Sequence, residues 1–187
     1  MIVTKRRRLR GVVAVVVGAT IVLGAGTWFG INYAVERAVI ADAREKARHW
    51  ADYFLETMPE LDQLMADGRL DAAQVDVIKG AETLGDVFRF KLFDTNGDVV
   101  VVSDETTYNQ EPVAEREHSG KAEDVIRTGI SNISVNDGTG KQNRPPIYAE
   151  AYVPIASDDG SPRGVVEVYM DQTGTANIFR TTFAALA

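Results

Sequence analysis

The sequence predicts an α+β fold in which one long N-terminal helix is followed by a five-stranded antiparallel sheet and a C-terminal helix. Two successive patterns in the spacing of apolar residues predict this order. From Val35 to Met65 the apolar residues recur every three or four positions, as they do on one face of a helix. From residue 87 onward, short runs of alternating apolar and polar residues are separated by Gly, Asn, Asp and Pro, as in strands joined by turns.

The first 35 residues predict a membrane-spanning helix. A basic tail over residues 1–10 precedes an uncharged stretch over residues 11–35, which ends at Glu36. About 20 apolar residues in a helix cross the roughly 30 Å hydrocarbon core, so this stretch is long enough. A cleaved signal peptide is the alternative, but the length of the stretch and the absence of a clear A-x-A cleavage site directly after it favour a retained anchor. Five basic residues precede the stretch, so the positive-inside rule predicts a cytoplasmic N-terminus.

The predicted outer region, residues 36–176, is strongly acidic. All 27 acidic residues lie in it, whereas five of the 20 basic residues precede the apolar stretch and one lies in the tail. The region therefore carries 14 basic residues and a net charge of −13. Nucleic acids and anionic lipids both need clustered cations, so we expect no nucleic-acid partner. The chain has no cysteine, but about 140 residues are enough for one hydrophobic core without disulfides.

The long helix continues from the membrane span as a stalk. Its apolar stripe consists of Val39, Ala43, Ala47, Trp50, Phe54, Met58, Leu61 and Met65. Pro59 is expected to bend the stalk, or to start a second segment behind a capping box formed by Thr57 and Glu60. Gly68 is the predicted end of this segment.

Two short helices are predicted outside the stalk. The first covers residues 72–79, with Asp71 as N-cap, Gln74 reaching back to it, and Gly80 at its end. The second covers residues 121–128 and ends at the glycine that follows.

Five strands are predicted in the second half of the chain. Asn96 and Gly97 separate two extended runs, and this dipeptide is the strongest short signal for a hairpin. A third strand is expected around residues 131–135. The last two, over residues 147–155 and 165–171, are separated by a turn that contains Asp-Gly and Ser-Pro steps.

Residues 177–187 are mostly apolar but too few to cross a membrane on their own. We assign them to the start of a second, truncated transmembrane helix, so that the C-terminal helix returns to the membrane. A terminal helix packed on the domain is the alternative.

Several of these segments together match a known class of proteins. They are the membrane span followed at once by a long helix, the hairpin FRFKLFDTNGDVVVVSDE, and the later runs YAEAYVPI and GVVEVYMDQT. With them the chain resembles the extracytoplasmic single-Cache or PAS-like sensor regions of bacterial transmembrane signalling proteins, most of all those ahead of GGDEF and EAL domains, which turn over cyclic di-GMP.

That resemblance implies a PAS/Cache-like sheet in a periplasmic domain anchored in the inner membrane. It also implies a small polar ligand or a periplasmic partner protein, and a cytoplasmic output domain outside this chain. The alternative is a membrane-tethered interaction or assembly protein without a ligand pocket.

Alternation places polar side chains on one face of each of three strands. They are Arg89 and Lys91 on the first strand, Tyr148, Glu150 and Tyr152 on the fourth, and Glu167, Tyr169 and Asp171 on the fifth. If these faces lie on the same side of the sheet, they form the floor of a pocket for a small polar or zwitterionic ligand such as an amino acid or a carboxylate. The predicted ligand-binding residues are Arg89, Lys91, Tyr148, Glu150, Tyr152 and Tyr169. The alternative is a solvated face with cross-strand ion pairs, each worth about 0.2 to 1 kcal/mol.

The sequence predicts no enzyme, no metal site and no cofactor. Asp94, Asn96, Asp98 and Glu105 have the spacing of a calcium loop, but the required glycine at the sixth position is Val99. Neither of the two histidines has a second His or Cys at ligand spacing. The usual nucleophile and phosphate-loop motifs are missing, so no catalytic residue is predicted.

Gly26 and Gly30 form a G-x-x-x-G pair that lets two transmembrane helices approach closely. We expect a homodimer through this pair and the stalk helix. The alternative is that the pair and the stripe serve no dimer, because glycine is common in transmembrane helices and the stalk's apolar stripe is needed to cover the sheet.

Overall fold

The structure is a computed structural model that describes residues 3–81, 86–103, 117–157 and 159–186. Its helices in these ranges are α1 (Val3–Thr57), α2 (Leu61–Asp67), α3 (Ala72–Ala81), α4 (Gly120–Thr128) and α5 (Thr173–Leu186). Its strands are β1 (Val87–Phe93), β2 (Val99–Val102), β3 (Asn132–Asp137), β4 (Ile147–Ala156) and β5 (Pro162–Asp171).

All five strands form one antiparallel sheet in the order β2-β1-β5-β4-β3. The strand that ends the domain, β5, therefore lies in the middle of the sheet. The α+β fold class is confirmed, with a long N-terminal helix, a five-stranded antiparallel sheet and a C-terminal helix.

Helix α1 runs for 55 residues, from the basic N-terminal segment through the uncharged stretch and into the hydrophobic core. The predicted apolar stripe is buried along its whole length, and from Ala43 onward it packs on the sheet face that carries Phe90, Val166 and Val168. In the described residues this is the one helix long and apolar enough to cross a membrane, with a mean hydropathy of 1.6 in its apolar window. None of that window is buried in the chain.

The connection after α1 differs from the prediction. The hydroxyl of Thr57 donates to the carbonyl of Tyr53, 2.6 Å away, and so belongs to the end of α1. Glu60 precedes α2 in the left-handed conformation, with φ of 46° and no capping bond from its side chain. The predicted capping box is therefore wrong, because the hydroxyl that should cap α2 bonds within its own helix. Gly68 ends α2 as predicted, with φ of 69°.

Helix α3 begins with the predicted reciprocal cap. The backbone N of Gln74 donates to Asp71 Oδ1 at 2.8 Å, and the backbone N of Asp71 donates to Gln74 Oε1 at 2.9 Å. The predicted end at Gly80 is wrong, because the helix continues to Ala81, which is fully buried in the core.

The turn between β1 and β2 lies at the predicted dipeptide. Gly97 has φ of +84°, and a Cβ there would lie 3.1 Å from the backbone N of Glu123 at the start of α4. Asp94 Oδ1 accepts the backbone N–H groups of Asn96 and Asp98 at 2.8 and 3.1 Å. This carboxylate therefore builds the turn, while Glu105, the last residue of the calcium-like spacing, lies outside the described residues.

Helix α5 returns along α1. Ala176 is buried there against Val35 and Val39, and Phe179 and Phe183 pack beside it. The domain thus begins and ends in two helices that lie side by side at the same end of the sheet.

Candidate functional site

The sheet face opposite α1 is the candidate functional site. The strand register places Arg89 beside Tyr169 and Lys91 beside Glu167. It also places Tyr169 beside Glu150, Glu167 beside Tyr152, and Asp171 beside Tyr148. All six predicted site residues therefore share one face with Glu167 and Asp171, and we call it the polar face. Ligand binding by these residues stays a prediction.

The polar face is buried rather than solvated. Its central residues have small exposed fractions: 7% for Tyr148, 7% for Tyr152, 8% for Tyr169 and 1% for Glu167. Helix α4 covers one end, where Ala122 and Val125 pack on a cluster that includes Tyr152. The loop between β3 and β4, residues 138–146, covers the other end through Arg144. An open face of solvated ion pairs therefore does not describe this surface.

Ion pairs lie at the rim of the covered region. Lys121 Nζ on α4 lies 2.6 Å from Glu150 Oε1 on β4, and 5.2 Å from the ring centre of Tyr152. Lys91 Nζ on β1 lies 2.9 Å from Glu117 Oε2, just before α4. These two pairs join the sheet to α4 and to the segment that precedes it.

Glu167 lies at the centre of the polar face. Burial raises the pKa of its carboxyl, while hydrogen bonds from the hydroxyls of Tyr152 and Tyr169 and the charge of Lys91 act in the opposite direction. Burial, followed by the hydrogen bond or charge of Glu167, raises the pKa of both tyrosines, so both hydroxyls stay protonated and can donate. Glu167 Oε1 is buried without a hydrogen-bond partner among the described residues.

Three aromatic rings surround the guanidinium of Arg144, and we call them the aromatic box: Phe88, Tyr148 and Tyr169. Phe88 lies 6.1 Å from each tyrosine ring, and the two tyrosine rings are stacked at 6.5 Å. Arg144 Cζ lies 5.5, 5.4 and 4.7 Å from the ring centres of Phe88, Tyr148 and Tyr169. These distances are within the range of cation–π attraction.

Sequence reasoning missed two residues of this arrangement. Strict alternation groups Phe88 with Phe90 and Leu92, on the face that packs against α1. The structure has an irregularity in the β1–β5 pairing between Val87 and Arg89, and such a bulge turns Phe88 toward the polar face. Arg144 lies in a polar loop without periodicity, so no local pattern identifies its contacts.

The loop that carries Arg144 has a defined backbone. Gly138 N donates to the carbonyl of Pro146 at 3.0 Å, and Lys141 N donates to the carbonyl of Gly138 at 2.9 Å. A Cβ on Gly138 would collide with the carbonyl oxygen of Pro145, so this close approach requires glycine. The loop thus closes at its base and extends Arg144 over the sheet.

Two of the open grooves that the described residues form lie beside α1, away from the polar face. One of about 290 Å³ lies beside α1 and is lined by Trp50, Tyr53 and the ion pair of Lys46 with Asp86. The other, of about 550 Å³, lies between α1 and α5 and is lined by residues of both helices and of the β3–β4 region. Among the described residues, no group of three or more His, Cys, Asp or Glu side chains is placed to hold a metal ion.

No protein-family model matches the chain, and no curated protein matches it either. Three similar solved structures have low identity. The first is the GAF domain of nlh2 from A. aeolicus in an inactive state, with 14% identity, a TM-score of 0.40, and coverage of 72% of this chain and 90% of that chain.

The second is an extracellular ligand binding receptor from Desulfohalobium retbaense, with 11% identity, a TM-score of 0.36, and coverage of 73% and 26% of the two chains. The third is a domain of a sensory box/GGDEF family protein from Vibrio parahaemolyticus, with 10% identity, a TM-score of 0.41, and coverage of 80% and 61%. The chain thus spans about a quarter of the second protein and about three fifths of the third. At TM-scores below 0.5, these similarities identify neither a family nor a ligand for this chain.

Proposed function

We propose that the protein is a membrane-anchored sensor module whose outer domain binds a small polar ligand on the polar face. The ligand shifts α1 against α5, and the shift passes through the membrane to a cytoplasmic output, with cyclic di-GMP turnover as the proposed chemistry. The continuity of α1 is the single observation that supports this most. One unbroken helix has an exposed apolar N-terminal part and a buried stripe beneath the sheet.

This proposal includes a topology. Residues 11–35 span the inner membrane with the N-terminus in the cytoplasm, and residues 36–176 form the periplasmic domain. Residues 177–187 begin a second span. The exposed apolar window of α1 supports the first span, because the core helix of a soluble domain would bury such residues.

Strand β5 provides a direct route from the polar face to α5. It carries Glu167 and Tyr169 and ends at Asp171, two residues before α5 begins. Asp171 Oδ1 accepts the backbone N of Thr173 at 2.8 Å, which caps the first turn of α5. A ligand that moves Tyr169 therefore acts four residues before the start of α5.

The coupling needs a difference in affinity between two states. A ligand that binds both arrangements of α1 and α5 equally well shifts nothing, whereas a tenfold preference supplies about 1.4 kcal/mol. The groove between α1 and α5 leaves room for a change in their spacing.

Spin labels on the two helices test this mechanism. The natural chain has no cysteine, so Glu36→Cys on α1 and Asn177→Cys on α5 introduce the only two thiols, at residues that line the same groove. In the full chain in lipid nanodiscs, we expect an amino acid or carboxylate from a metabolite panel to shift the distance between the labels in pulsed electron paramagnetic resonance.

The matched control places both labels at exposed positions of α1 alone, as Glu45→Cys with Asp52→Cys. The distance between these two labels should not change. A compound that binds with a measurable Kd but leaves the α1–α5 distance unchanged contradicts signal transmission. If no compound binds, direct chemical sensing by this domain is contradicted.

The polar face is covered by other residues of the chain itself. This supports a second candidate, a membrane-tethered interaction or assembly protein without a ligand pocket. Arg144 and α4 already occupy the space over the sheet. Under either candidate we propose that the chain is not an enzyme and that nucleic acid is not its partner. The reading frame beyond Ala187 separates the two, since a second span and a cytoplasmic domain favour the sensor and a stop codon favours the assembly protein.

A further inference from the structure

Arg144 is a cation supplied by the chain itself to the aromatic box. Its guanidinium carbon lies within 5.5 Å of all three ring centres, and Lys141 of the same loop lies 5.9 Å from the ring of Tyr148. Two positive groups from one loop thus approach rings whose faces carry negative potential. This end of the polar face therefore favours cations.

Glu167 adds a second, independent observation. Its side chain is 1% exposed, and its Oε1 has no hydrogen-bond partner among the described residues. It lies beside the aromatic box because Glu167 and Tyr169 are two positions apart on β5 and share the polar face. A buried acceptor beside three rings suits a group that stacks on aromatics and donates several N–H bonds, and a planar guanidinium does both.

The contact of Arg144 is suited to exchange. Its Nη1 is buried without a hydrogen-bond partner among the described residues, so the rings hold that end of the guanidinium. The neighbouring residues Lys141, Gln142 and Asn143 are exposed, and Asn143 has a left-handed φ of 57°. A free ligand can present the same group to the rings without this loop conformation.

We propose that the aromatic box binds a small molecule with a guanidinium group, and that Arg144 occupies the box as an intramolecular competitor until the ligand displaces it. This inference rests on the proposed function, because it names the chemical class of ligand for the same face. Displacement releases the β3–β4 loop from Tyr169, whose strand leads into α5.

Removal of the competitor provides the test. The full chain in lipid nanodiscs is titrated with methylguanidinium chloride by isothermal titration calorimetry, for the wild type and for Arg144→Ala. We expect Arg144→Ala to bind at least tenfold more tightly than the wild type. Arg163→Ala is the matched control, because Arg163 pairs with Asp62 away from the box, and it should bind as the wild type does. Sodium acetate should bind no better to Arg144→Ala than to the wild type.

Two further variants test the box itself. In the Arg144→Ala background, Tyr169→Leu should weaken methylguanidinium binding at least tenfold, whereas Tyr169→Phe keeps the ring and should stay within about threefold. If Arg144→Ala does not melt cooperatively by circular dichroism, millimolar methylguanidinium should restore the transition and methylammonium should do so less well.

The proposal is overturned if Arg144→Ala binds methylguanidinium no more tightly than Arg163→Ala, if Tyr169→Leu leaves binding unchanged, or if an unfolded Arg144→Ala is not rescued. Its failure is distinct from that of the proposed function. Tight binding to Arg144→Ala, together with no change in the α1–α5 distance of the chain that keeps Arg144 at saturating methylguanidinium, upholds the box and overturns the sensor. An α1–α5 shift with another ligand, together with no methylguanidinium binding to Arg144→Ala, upholds the sensor and overturns the box.

Discussion

Glu167 is a carboxyl group buried in the middle of an otherwise well-bonded sheet face. Burial raises the pKa of its carboxyl above the usual range, and the neighbouring hydroxyls of Tyr152 and Tyr169 oppose that shift only in part. Its ionisation at neutral pH therefore opposes folding, since the charged form loses its hydration. A natural chain that retains such a group has a local cost in stability, which is typical of functional sites.

We expect Glu167→Gln to be at least as stable as the wild type at pH 7. The raised folded-state pKa means that the wild type has its full stability below about pH 4.5 and loses part of it as pH rises through the folded pKa, whereas Glu167→Gln lacks this loss. Melting temperatures between pH 4 and 8 measure the difference. Glu167→Ala is the control, and it should cost about 1 to 3 kcal/mol because the hydroxyls of Tyr152 and Tyr169 lose their acceptor.

His118 also makes the stability depend on pH. In contrast to Glu167, the folded state favours the charged form of its side chain. Its Nδ1 lies 3.0 Å from Asp98 Oδ1 and its Nε2 lies 3.4 Å from Glu123 Oε2, and the hydrogen bond with Asp98 is the main cause of its raised pKa. This contribution is fully present below about pH 6.5 and is lost as pH rises through the raised pKa.

His118→Gln should therefore remove a loss of stability that the wild type shows above pH 6.5. Melting curves at pH 6 and pH 8.5 measure it. His49→Gln, in the exposed pair with Glu45 on α1, should keep the wild-type difference. Equal pH dependence in the wild type and His118→Gln would contradict the role of His118.

Helix α4 is attached to the sheet at its N-terminal end. Ser119 caps it, with Oγ accepting from the backbone N of Ala122 at 3.3 Å, and the β1–β2 turn at Gly97 packs against its first turn. The turn and the helix that covers the polar face are therefore one packing unit. A change in the turn should loosen that cover.

Gly97→Ala should destabilise the domain by about 1 to 2 kcal/mol, because a side chain at φ of +84° is strained and its Cβ meets the backbone of α4. Urea unfolding followed by circular dichroism measures the loss. Gly120→Ala is a matched control at the start of α4, where no atom lies within 4 Å of an added Cβ, and we expect little change. A Gly97→Ala variant as stable as Gly120→Ala would refute the packing argument.

Helix α1 connects the membrane segment to the core, and its surfaces are divided between two tasks. The apolar stripe of the stalk is buried against the sheet, and α5 packs near Ile31, Val35 and Val39. The predicted homodimer therefore has to use another side of α1. Gly26 and Gly30 have open space where a Cβ would lie, so their surface is free in the single chain.

Gly26→Ile with Gly30→Ile should weaken a dimer formed through this pair, because the branched side chains prevent close helix approach. Chemical cross-linking of the full chain in nanodiscs and sedimentation in detergent measure the dimer fraction. Gly24→Ile is the control and should leave the fraction unchanged. The same dimer fraction in all three proteins would reject this interface.

The kinds of elements could be read from the sequence because they depend on local spacing. The apolar stripe from Val39 to Met65, the hairpin at Gly97 and the cap of α3 depend on residues a few positions apart, and the structure has each of them. The sequence predicted a common face for Arg89, Tyr148 and Tyr169 only if the polar faces of their strands lie on the same side of the sheet. Alternation specifies the two faces of each strand but not how the strands pair.

The strand order, the burial of the polar face and the aromatic box were decided by the tertiary structure. Phe88 reaches the box through an irregularity in strand pairing, and Arg144 reaches it from a loop more than 50 residues further along the chain. Thr57 and Gly80 show the same limit, since a competing bond and burial in the core overrode their local signals. The physical reason is that local patterns encode backbone conformation, whereas burial and long-range contacts depend on which surfaces the folded chain brings together.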